Sequence, residues 1–164
     1  MVGSDTTVWA HAVIGAGAVI GRGCVIGHAA YVDRFVRLGD RVWVHNKASI
    51  YRPWELASDV FIGPHVVFVN DADPTPHTTR DLHGVVCRVE QGVTIGANAT
   101  ILNDLTLGAH SFIGAAALVS RDTEPYGIYA GSPARLRGYR CVCRTRFGLE
   151  AGLPEECGSC GRRF

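Results

Sequence analysis

The chain has 164 residues, of which 47% are hydrophobic and 19% charged, as expected for one folded domain with at most a small appendage. Its net charge of +1 gives no general electrostatic signal for nucleic acid or for an anionic membrane surface. No apolar run reaches the roughly 18 residues that a membrane helix needs. The N-terminal segment also lacks a basic stretch followed by an apolar one. We therefore expect a cytoplasmic protein that contacts neither membrane nor nucleic acid.

An apolar residue recurs every six positions, first over residues 2–68 and again over residues 89–119. The first series is Val2, Val8, Ile14, Ile20, Ile26, Val32, Leu38, Val44, Ile50, Leu56, Ile62 and Phe68, and the second is Val89, Ile95, Ile101, Leu107, Ile113 and Val119. A period of six fits neither a helix nor simple strand alternation. It predicts an all-β fold, a parallel β-helix of short strands, with four coils before the break and two after it. Glycine often follows the apolar residue, and we expect it to permit the backbone geometry of each corner.

The period is lost over about residues 69–88, where the sequence reads VNDADPTPHTTRDLHGVVC up to position 87. Long loops without structure of their own are uncommon in compact domains and are usually functional or disordered. We therefore predict an inserted loop that leaves the coil at this point.

The repeat over residues 1–134 resembles the left-handed β-helix of the hexapeptide-repeat acyltransferases. The left hand is implied by the family alone, since the general rule for parallel crossovers favours the right hand. The segments HNKASIYRPWELASDVFIGPHVVFVNDADP, GVTIGANATI and GIYAGSPARLRGY resemble the nucleotide-sugar N-acyltransferases, especially the bacterial UDP-2-acetamido-3-amino-glucuronate N-acetyltransferases. This resemblance implies transfer of an acyl group from acetyl-CoA or another acyl-CoA to a nucleotide-linked amino sugar. It also implies a homotrimer whose active sites lie between subunits and are walled by the inserted loop.

The resemblance places Asn70, in the segment FVND, beside the sugar amine. An asparagine can orient an amine through its amide oxygen, but it cannot act as a base at neutral pH. Histidine has a suitable intrinsic pKa for that role, so His77 and His83 in the loop and His45 in the solenoid are candidate bases. None of the three histidines follows the pattern of the relatives, and each has an ordinary structural interpretation as a solvated or corner residue.

Three further residues are predicted to contact the sugar substrate. Asn46 and Tyr51 share the HNKASIY segment with His45. Asp71 follows Asn70 and either pairs with the substrate amine or caps a turn of the loop. The sequence does not decide between these two roles.

The coenzyme is expected along the later coils, where small residues let its pantetheine arm approach the backbone. The candidate residues are Ala97, Gly114, Ala115 and Ala116, with Arg121 available for a phosphate. The family's G-x-P-A segment, which lies near the end of the acyl-CoA site, maps to Gly131, Pro133 and Ala134. All the small residues are also ordinary in a coil of this kind.

The C-terminal segment, residues 135–164, contains seven arginines and three glutamates and carries four of the six cysteines. These cysteines are Cys141, Cys143, Cys157 and Cys160. Two close pairs joined by a short loop are the pattern of a tetrahedral structural zinc site, although C-x-C is tighter than the usual C-x-x-C. We therefore predict a zinc-ribbon-like tail, with four free thiols as the alternative.

Three other functions compete with N-acylation. A zinc lyase of the γ-carbonic-anhydrase type is disfavoured, because no two histidines have the five-position spacing of that family. O-acylation of a sugar or secondary metabolite requires a base strong enough to deprotonate a hydroxyl. A trimeric scaffold without activity stays open as well.

Overall fold

The computed structural model describes residues 1–71, 73–77, 81–82, 85 and 87–164. Within these residues the chain forms twenty β-strands. No helix long and apolar enough to cross a membrane occurs among them.

Seventeen strands of two residues each form three parallel sheets, the sides of a triangular prism. Sheet 1 contains β1 (Thr7–Val8), β4 (Val25–Ile26), β7 (Trp43–Val44), β10 (Phe61–Ile62), β13 (Thr94–Ile95) and β16 (Phe112–Ile113). Sheet 2 contains β2 (Val13–Ile14), β5 (Tyr31–Val32), β8 (Ser49–Ile50), β11 (Val67–Phe68), β14 (Thr100–Ile101) and β17 (Leu118–Val119). Sheet 3 contains β3 (Val19–Ile20), β6 (Arg37–Leu38), β9 (Glu55–Leu56), β12 (Arg88–Val89) and β15 (Thr106–Leu107).

One coil takes three repeats of six, so each strand pairs with the third strand before it in the chain. Val44, for example, lies opposite Ile26, a step of 18 in the numbering. Across the break the step is larger, because Ile62 lies opposite Ile95. The break therefore lengthens one coil by two and a half repeats without changing the register above it. The predicted parallel β-helix of about six coils is confirmed.

The residues of the six-residue repeat are the second residues of the strands and point to the prism axis. From Ile20 to Val119 all of them are buried, with Ile26, Val44 and Ile62 fully inaccessible to solvent. Burying each large aliphatic side chain contributes about 1.5–3 kcal/mol. These stacked aliphatic side chains are the main source of stability along the prism.

The corner residue three positions before most inward residues has a positive φ angle, and Pro53, before Leu56, is an exception. The residues in this conformation include Asp5, His11, Gly17, Gly23, Ala29, Phe35, Arg41, Lys47, Asp59, His65, Gly92, Asn98, Asp104, His110 and Ala116. Most of them are not glycine. The glycines that follow the inward residues, such as Gly27, lack this conformation. The expectation that those glycines supply the corner geometry is therefore wrong.

The glycines after the inward residues are needed because consecutive coils approach closely there. A Cβ atom on Gly27 would lie 2.7 Å from the backbone nitrogen of Asn46, and one on Gly63 would lie 2.7 Å from that of Ala97. Real Cβ atoms do not approach backbone so closely, so a larger residue would force the coils apart.

The inserted loop leaves sheet 2 after Phe68 and enters sheet 3 at Arg88. Trp54 fills the corner beneath its start and is fully buried. Its indole N–H donates to the carbonyl of Val69 at 3.0 Å, and its ring meets the Phe68 ring edge-on at 4.9 Å. The first residue of the loop is thus fixed to the core.

The chain after the coils folds back onto sheet 1. β18 (Gly127–Ala130) pairs in parallel with β16, but Phe112 lies opposite Ile128, which is two positions short of a full coil. β19 (Arg135–Arg140) then pairs antiparallel with β18, and β20 (Arg146–Gly148) with β19. Sheet 1 therefore continues across position 134, where we placed the boundary between coil and tail.

We predict that Gly27→Ala destabilises the fold by about 1–3 kcal/mol, because its methyl group must displace the backbone of the next coil. Gly148→Ala is the matched control, since nothing lies within 4 Å of a Cβ at that position. Urea denaturation followed by circular dichroism measures both. Equal stability of the two variants would contradict the close-approach explanation.

Candidate functional site

The predicted site residues lie at the corners that join the sheets. Edge 1–2, between sheets 1 and 2, comprises residues 27–30, 45–48, 63–66, 96–99 and 114–117 of successive coils. Edge 2–3 comprises residues 33–36, 51–54, 69–71, 102–105 and 120–122. Edge 3–1 comprises residues 21–24, 39–42, 57–60, 90–93 and 108–111.

Edge 1–2 is a continuous ladder of backbone hydrogen bonds. The amide of His65 donates to the carbonyl of Asn46 at 3.1 Å. The amide of Ala116 donates to the carbonyl of Ala97 at 2.8 Å. Residues from different coils are thereby stacked in one line parallel to the prism axis.

Most of the predicted site residues fall on this line. Edge 1–2 brings together His45, Asn46, Ala97, Gly114, Ala115 and Ala116. The turn after β18 continues it with Gly131, Pro133 and Ala134, because the amide of Leu118 donates to the carbonyl of Gly131 at 3.0 Å. The predicted coenzyme residues, Arg121 excepted, therefore form one row, and the coil of residues 63–66 separates this row from His45 and Asn46.

His45 lies at the wall of an open groove on the lower part of sheet 1. Its ring is half-buried, 4.9 Å from the ring of Phe61 and 6.4 Å from that of Trp43 between ring centroids. The groove has a volume of about 710 Å³ and is mainly apolar. It is lined by Thr7, Trp9, Val25, Gly27, His28, Trp43, Val44, His45 and Asn46.

Asn46 holds neighbouring coils together as well as lining this groove. Its side-chain oxygen accepts a hydrogen bond from the amide of His28 at 3.0 Å. An oxygen that could have bound the substrate is thus already engaged within the chain. The amide nitrogen of the side chain is the group that can still donate to a ligand.

His28 and the two tryptophans of the groove, Trp9 and Trp43, were not among the predicted site residues. A step of six aligns inward residues but does not show which corners share an edge. A step of 18 does, and it places Asn46 directly above His28. That longer step is the signal in the sequence that would have found this neighbour.

Edge 2–3 holds a second set of predicted residues, Tyr51, Asn70, Asp71 and Arg121. The ring of Tyr51 packs 5.4 Å from that of Tyr31. The Tyr31 hydroxyl donates to Asp33 at 3.0 Å, and this hydrogen bond raises the pKa of Tyr31. A carboxylate oxygen of Asp71 accepts from the amide of Asp73 at 3.0 Å, as expected for the turn-capping role.

The two candidate histidines of the loop are not placed on either edge by the described part of the structure. His77 is exposed, and its amide donates to the hydroxyl of Thr75 at 3.4 Å. His83 lies outside the described residues, so its role stays a prediction.

The predicted site residues are therefore divided between two corners of the prism. Sheet 2 lies between His45 on edge 1–2 and Asn70 on edge 2–3. Two residues at the two prism edges that flank one sheet cannot both contact the same small reacting centre within a single chain.

The four tail cysteines converge. Their sulfur atoms all lie within 4.8 Å of one another. The Sγ atoms of Cys141 and Cys160 are 3.6 Å apart, and those of Cys143 and Cys157 are 3.7 Å apart. A tetrahedral zinc with Zn–S bonds of about 2.3 Å separates its sulfurs by about 3.8 Å. The cluster thus has the dimensions of a four-thiolate metal site.

The surroundings lower the pKa of two of the four thiols, Cys143 and Cys157, and raise the pKa of the other two. Thr145 contacts Cys143 Sγ through its hydroxyl at 3.2 Å. Hydrogen bonds from this hydroxyl and from the Thr145 amide lower the pKa of Cys143 to about 6. Cys141 and Cys157 are buried, while Cys143 and Cys160 are exposed. Metal ligation requires the thiolate form, which this environment promotes at Cys143.

Comparison with known proteins agrees with the fold and with the repeat. Residues 1–34 match the bacterial transferase hexapeptide family model of six repeats. Residues 1–34 thus carry the hexapeptide repeat, and the chain has the left-handed β-helix fold.

Individual relatives are enzymes that act on nucleotide sugars. The chain is 34% identical over 76 residues to dTDP-3-amino-3,6-dideoxy-alpha-D-galactopyranose 3-N-acetyltransferase of Aneurinibacillus thermoaerophilus, a match covering 46% of this chain and 38% of that protein. The chain spans less than half the length of the curated relatives that it matches.

Two solved structures share the fold at 19% identity. A variant of AntD, an N-acyltransferase from Bacillus cereus, in complex with dTDP and coenzyme A, has a TM-score of 0.75, and the match covers 87% of this chain and 84% of that one. PerB from Caulobacter crescentus, in complex with CoA and GDP-perosamine, has a TM-score of 0.69, with 81% and 57% covered.

Proposed function

We propose that the chain is an acyl-CoA-dependent N-acyltransferase that acetylates the amine of a nucleotide-linked amino sugar. The observation that carries this proposal is the row of small residues on edge 1–2. Ala97, Gly114 and Ala115 leave the backbone accessible along one line, which continues through the coil of residues 63–66 to His45 and Asn46. A thin pantetheine arm fits such a line. The relatives that bind coenzyme A and nucleotide sugars support the same function.

The reaction needs positioning more than strong acid–base chemistry. The nitrogen of the sugar amine attacks the thioester carbonyl, the C–N bond forms, the C–S bond breaks, and the coenzyme leaves as a thiol after taking up a proton. His45, half-buried at the end of the row, accepts the proton that the nitrogen releases. Asn70 orients the amine through its amide oxygen. A neutral amine is already nucleophilic, so a weak base is sufficient.

The acceptors that we propose are amino sugars linked to dTDP or UDP. A relative acts on a dTDP-linked amino sugar, and a solved neighbour holds dTDP. The aromatic groove beside His45, with Trp9 and Trp43 exposed in it, suits a pyrimidine base and the apolar face of a sugar. We place the reaction in the cytoplasm, where thiols such as the six free cysteines stay reduced.

The test is thiol release from acetyl-CoA with dTDP- and UDP-linked 3-amino sugars, alongside their 3-hydroxy counterparts. We expect turnover with the amines alone. Turnover with a hydroxyl sugar would replace N-acylation by O-acylation. Absence of turnover and of coenzyme binding in calorimetry would leave the scaffold interpretation.

We further propose a homotrimer with its active sites between subunits. His45 and Asn70 lie on different edges of one prism, so one chain supplies edge 1–2 and its neighbour supplies edge 2–3. Three copies around a threefold axis repeat this contact three times and complete every site.

Mixing two inactive variants tests this arrangement. We predict that His45→Ala and Asn70→Ala each lose most turnover, and that mixed trimers regain about one quarter of wild-type activity, because both intact edges then meet at about one interface in four. His45→Ala mixed with Asn46→Ala is the control, since both substitutions lie on edge 1–2 and no intact site forms. Absence of recovery in the first mixture, with trimers verified by mass, would refute a site shared between two subunits.

We propose that the four tail cysteines hold one structural Zn²⁺. The sulfur separations of 3.6 and 3.7 Å fit tetrahedral thiolate ligation. Four protein ligands leave no open position for substrate, so the ion ties the two cysteine turns together and takes no part in catalysis. Held in this way, the turns around Cys141 and Cys157 become one rigid unit.

We predict about one zinc per chain in the purified protein, measured by mass spectrometry of the metal. Cys160→Ser should lose the metal, whereas Ser159→Ala, a neighbouring substitution that removes no ligand, should keep it. A metal-free wild-type protein that remains folded, with four tail thiols titratable by a thiol reagent, would refute the zinc site.

A further inference from the structure

A second cavity lies where the tail covers the side of the prism, at edge 3–1 and the upper part of sheet 1. Its volume is about 640 Å³. The side chains that matter for its chemistry are Arg140, Arg144, Arg162, His110, Gln91 and Asp59. It is distinct from the row of small residues on edge 1–2, because the outer face of sheet 1 lies between the two edges.

Each of the three arginines is placed by a defined structural element. Arg140 ends β19, and its guanidinium lies 4.4 Å above the centre of the Phe112 ring. It also donates to the hydroxyl of Thr94 at 3.3 Å. These two contacts direct its charge toward the coil and into the cavity wall.

The other two arginines come from the two cysteine turns. Arg144 has a positive φ angle in the first turn, and its amide donates to the carbonyl of Cys141 at 2.8 Å. Arg162 follows the second turn, and its carbonyl accepts from the amide of Cys157 at 2.8 Å. One basic residue from each turn therefore faces the same cavity.

The positive charge in this cavity lacks a matching carboxylate. None of the three arginines forms an ion pair with a carboxylate in the part of the chain that the structure describes. The acid that lines the cavity, Asp59, is already held by two hydrogen bonds from Arg41, at 2.6 and 2.9 Å. Three like charges thus stand together around a polar space.

Burial and one of the three arginines both act on His110. Desolvation and then the charge of Arg162 lower the pKa of His110, which Asp59 opposes.

We propose that this cavity is a binding site for a phosphate-bearing ligand of nucleotide size. Planar guanidinium groups donate paired hydrogen bonds to phosphate oxygens, and arginine suits this geometry better than lysine does. The volume of about 640 Å³ exceeds what inorganic phosphate fills and lies in the range of small-molecule sites. Phe61 and Val142 in the lining provide apolar surface for a base.

The shared chemistry is that of an organic phosphate or diphosphate, carried either by a pyrimidine nucleotide or by the adenosine end of the coenzyme. The site does not rest on the proposed acyl transfer, because it is defined by residues outside both predicted catalytic edges. Binding can therefore be measured without turnover.

Calorimetry with the full-length protein, its metal retained, at neutral pH and low salt tests the site. The probes are pyrophosphate, UDP, dTDP and adenosine 3′,5′-bisphosphate. We expect Arg144→Ala and Arg162→Ala each to weaken binding of the preferred probe about tenfold, as loss of one charge-assisted contact implies. Arg144→Lys should recover part of this loss, because it restores the charge without the paired donors. Arg37→Ala, which removes the same charge on sheet 3, should bind as the wild type does.

Circular dichroism and metal content verify that the variants are folded. Preference for UDP or dTDP identifies a pyrimidine nucleotide as the ligand, and preference for the bisphosphate identifies the coenzyme end; either result, if lost with the two arginines, supports the proposal. Absence of binding by every probe at millimolar concentration would overturn it. Equal binding by the wild type, Arg144→Ala and Arg162→Ala would overturn it as well.

Discussion

Hydrogen bonding between consecutive coils sets the position of nearly every residue in this protein. Because the amides of one strand donate to the matching strand of the neighbouring coil, a side chain at a corner is placed directly above its counterpart in the previous coil. The inward aliphatic residues stack on one another inside the prism in this register, and the glycines after them allow the backbones of consecutive coils to approach closely. The insertion after Phe68 is tolerated because it leaves at a corner, where the chain turns anyway, and Trp54 fixes the start of the loop.

This register also decides which of the predicted site residues lie near one another. Small residues spaced along the sequence become one row on edge 1–2, while Asn70 and its neighbours stack on edge 2–3. The same register that builds a stable prism thus separates the predicted site residues into two groups. In the proposed trimer, a second chain brings its edge 2–3 next to edge 1–2 of the first chain. One chain cannot do this alone, because the solenoid does not bend one of its edges toward another.

The sequence predicted the architecture well because the inward position tolerates little besides aliphatic residues, so the period of six is visible. The corner conformation was not readable, since residues as different as Asp5, Phe35 and Lys47 adopt it. Edge membership needed the step of 18, which links Asn46 to His28. The packing of the tail depends on contacts between residues that are far apart in the sequence, such as Arg140 over Phe112. No local sequence pattern predicts such contacts. The cysteine cluster was predicted because ligand spacing is a local property.

The antiparallel strand β19 has a consequence for assembly. A parallel β-helix ends in strands whose outer backbone groups could pair with another coil, and repeated addition of that kind would produce a filament. Here the last coil closes two positions early, and the chain reverses so that β19 occupies the free side of β18 in sheet 1. A coil of another molecule would have to pair with β18 in parallel, but β19 already pairs with β18 in the antiparallel direction. The hairpin of β19 and β20, which carries Cys141 and Cys143, therefore also blocks end-to-end growth of the solenoid at this sheet.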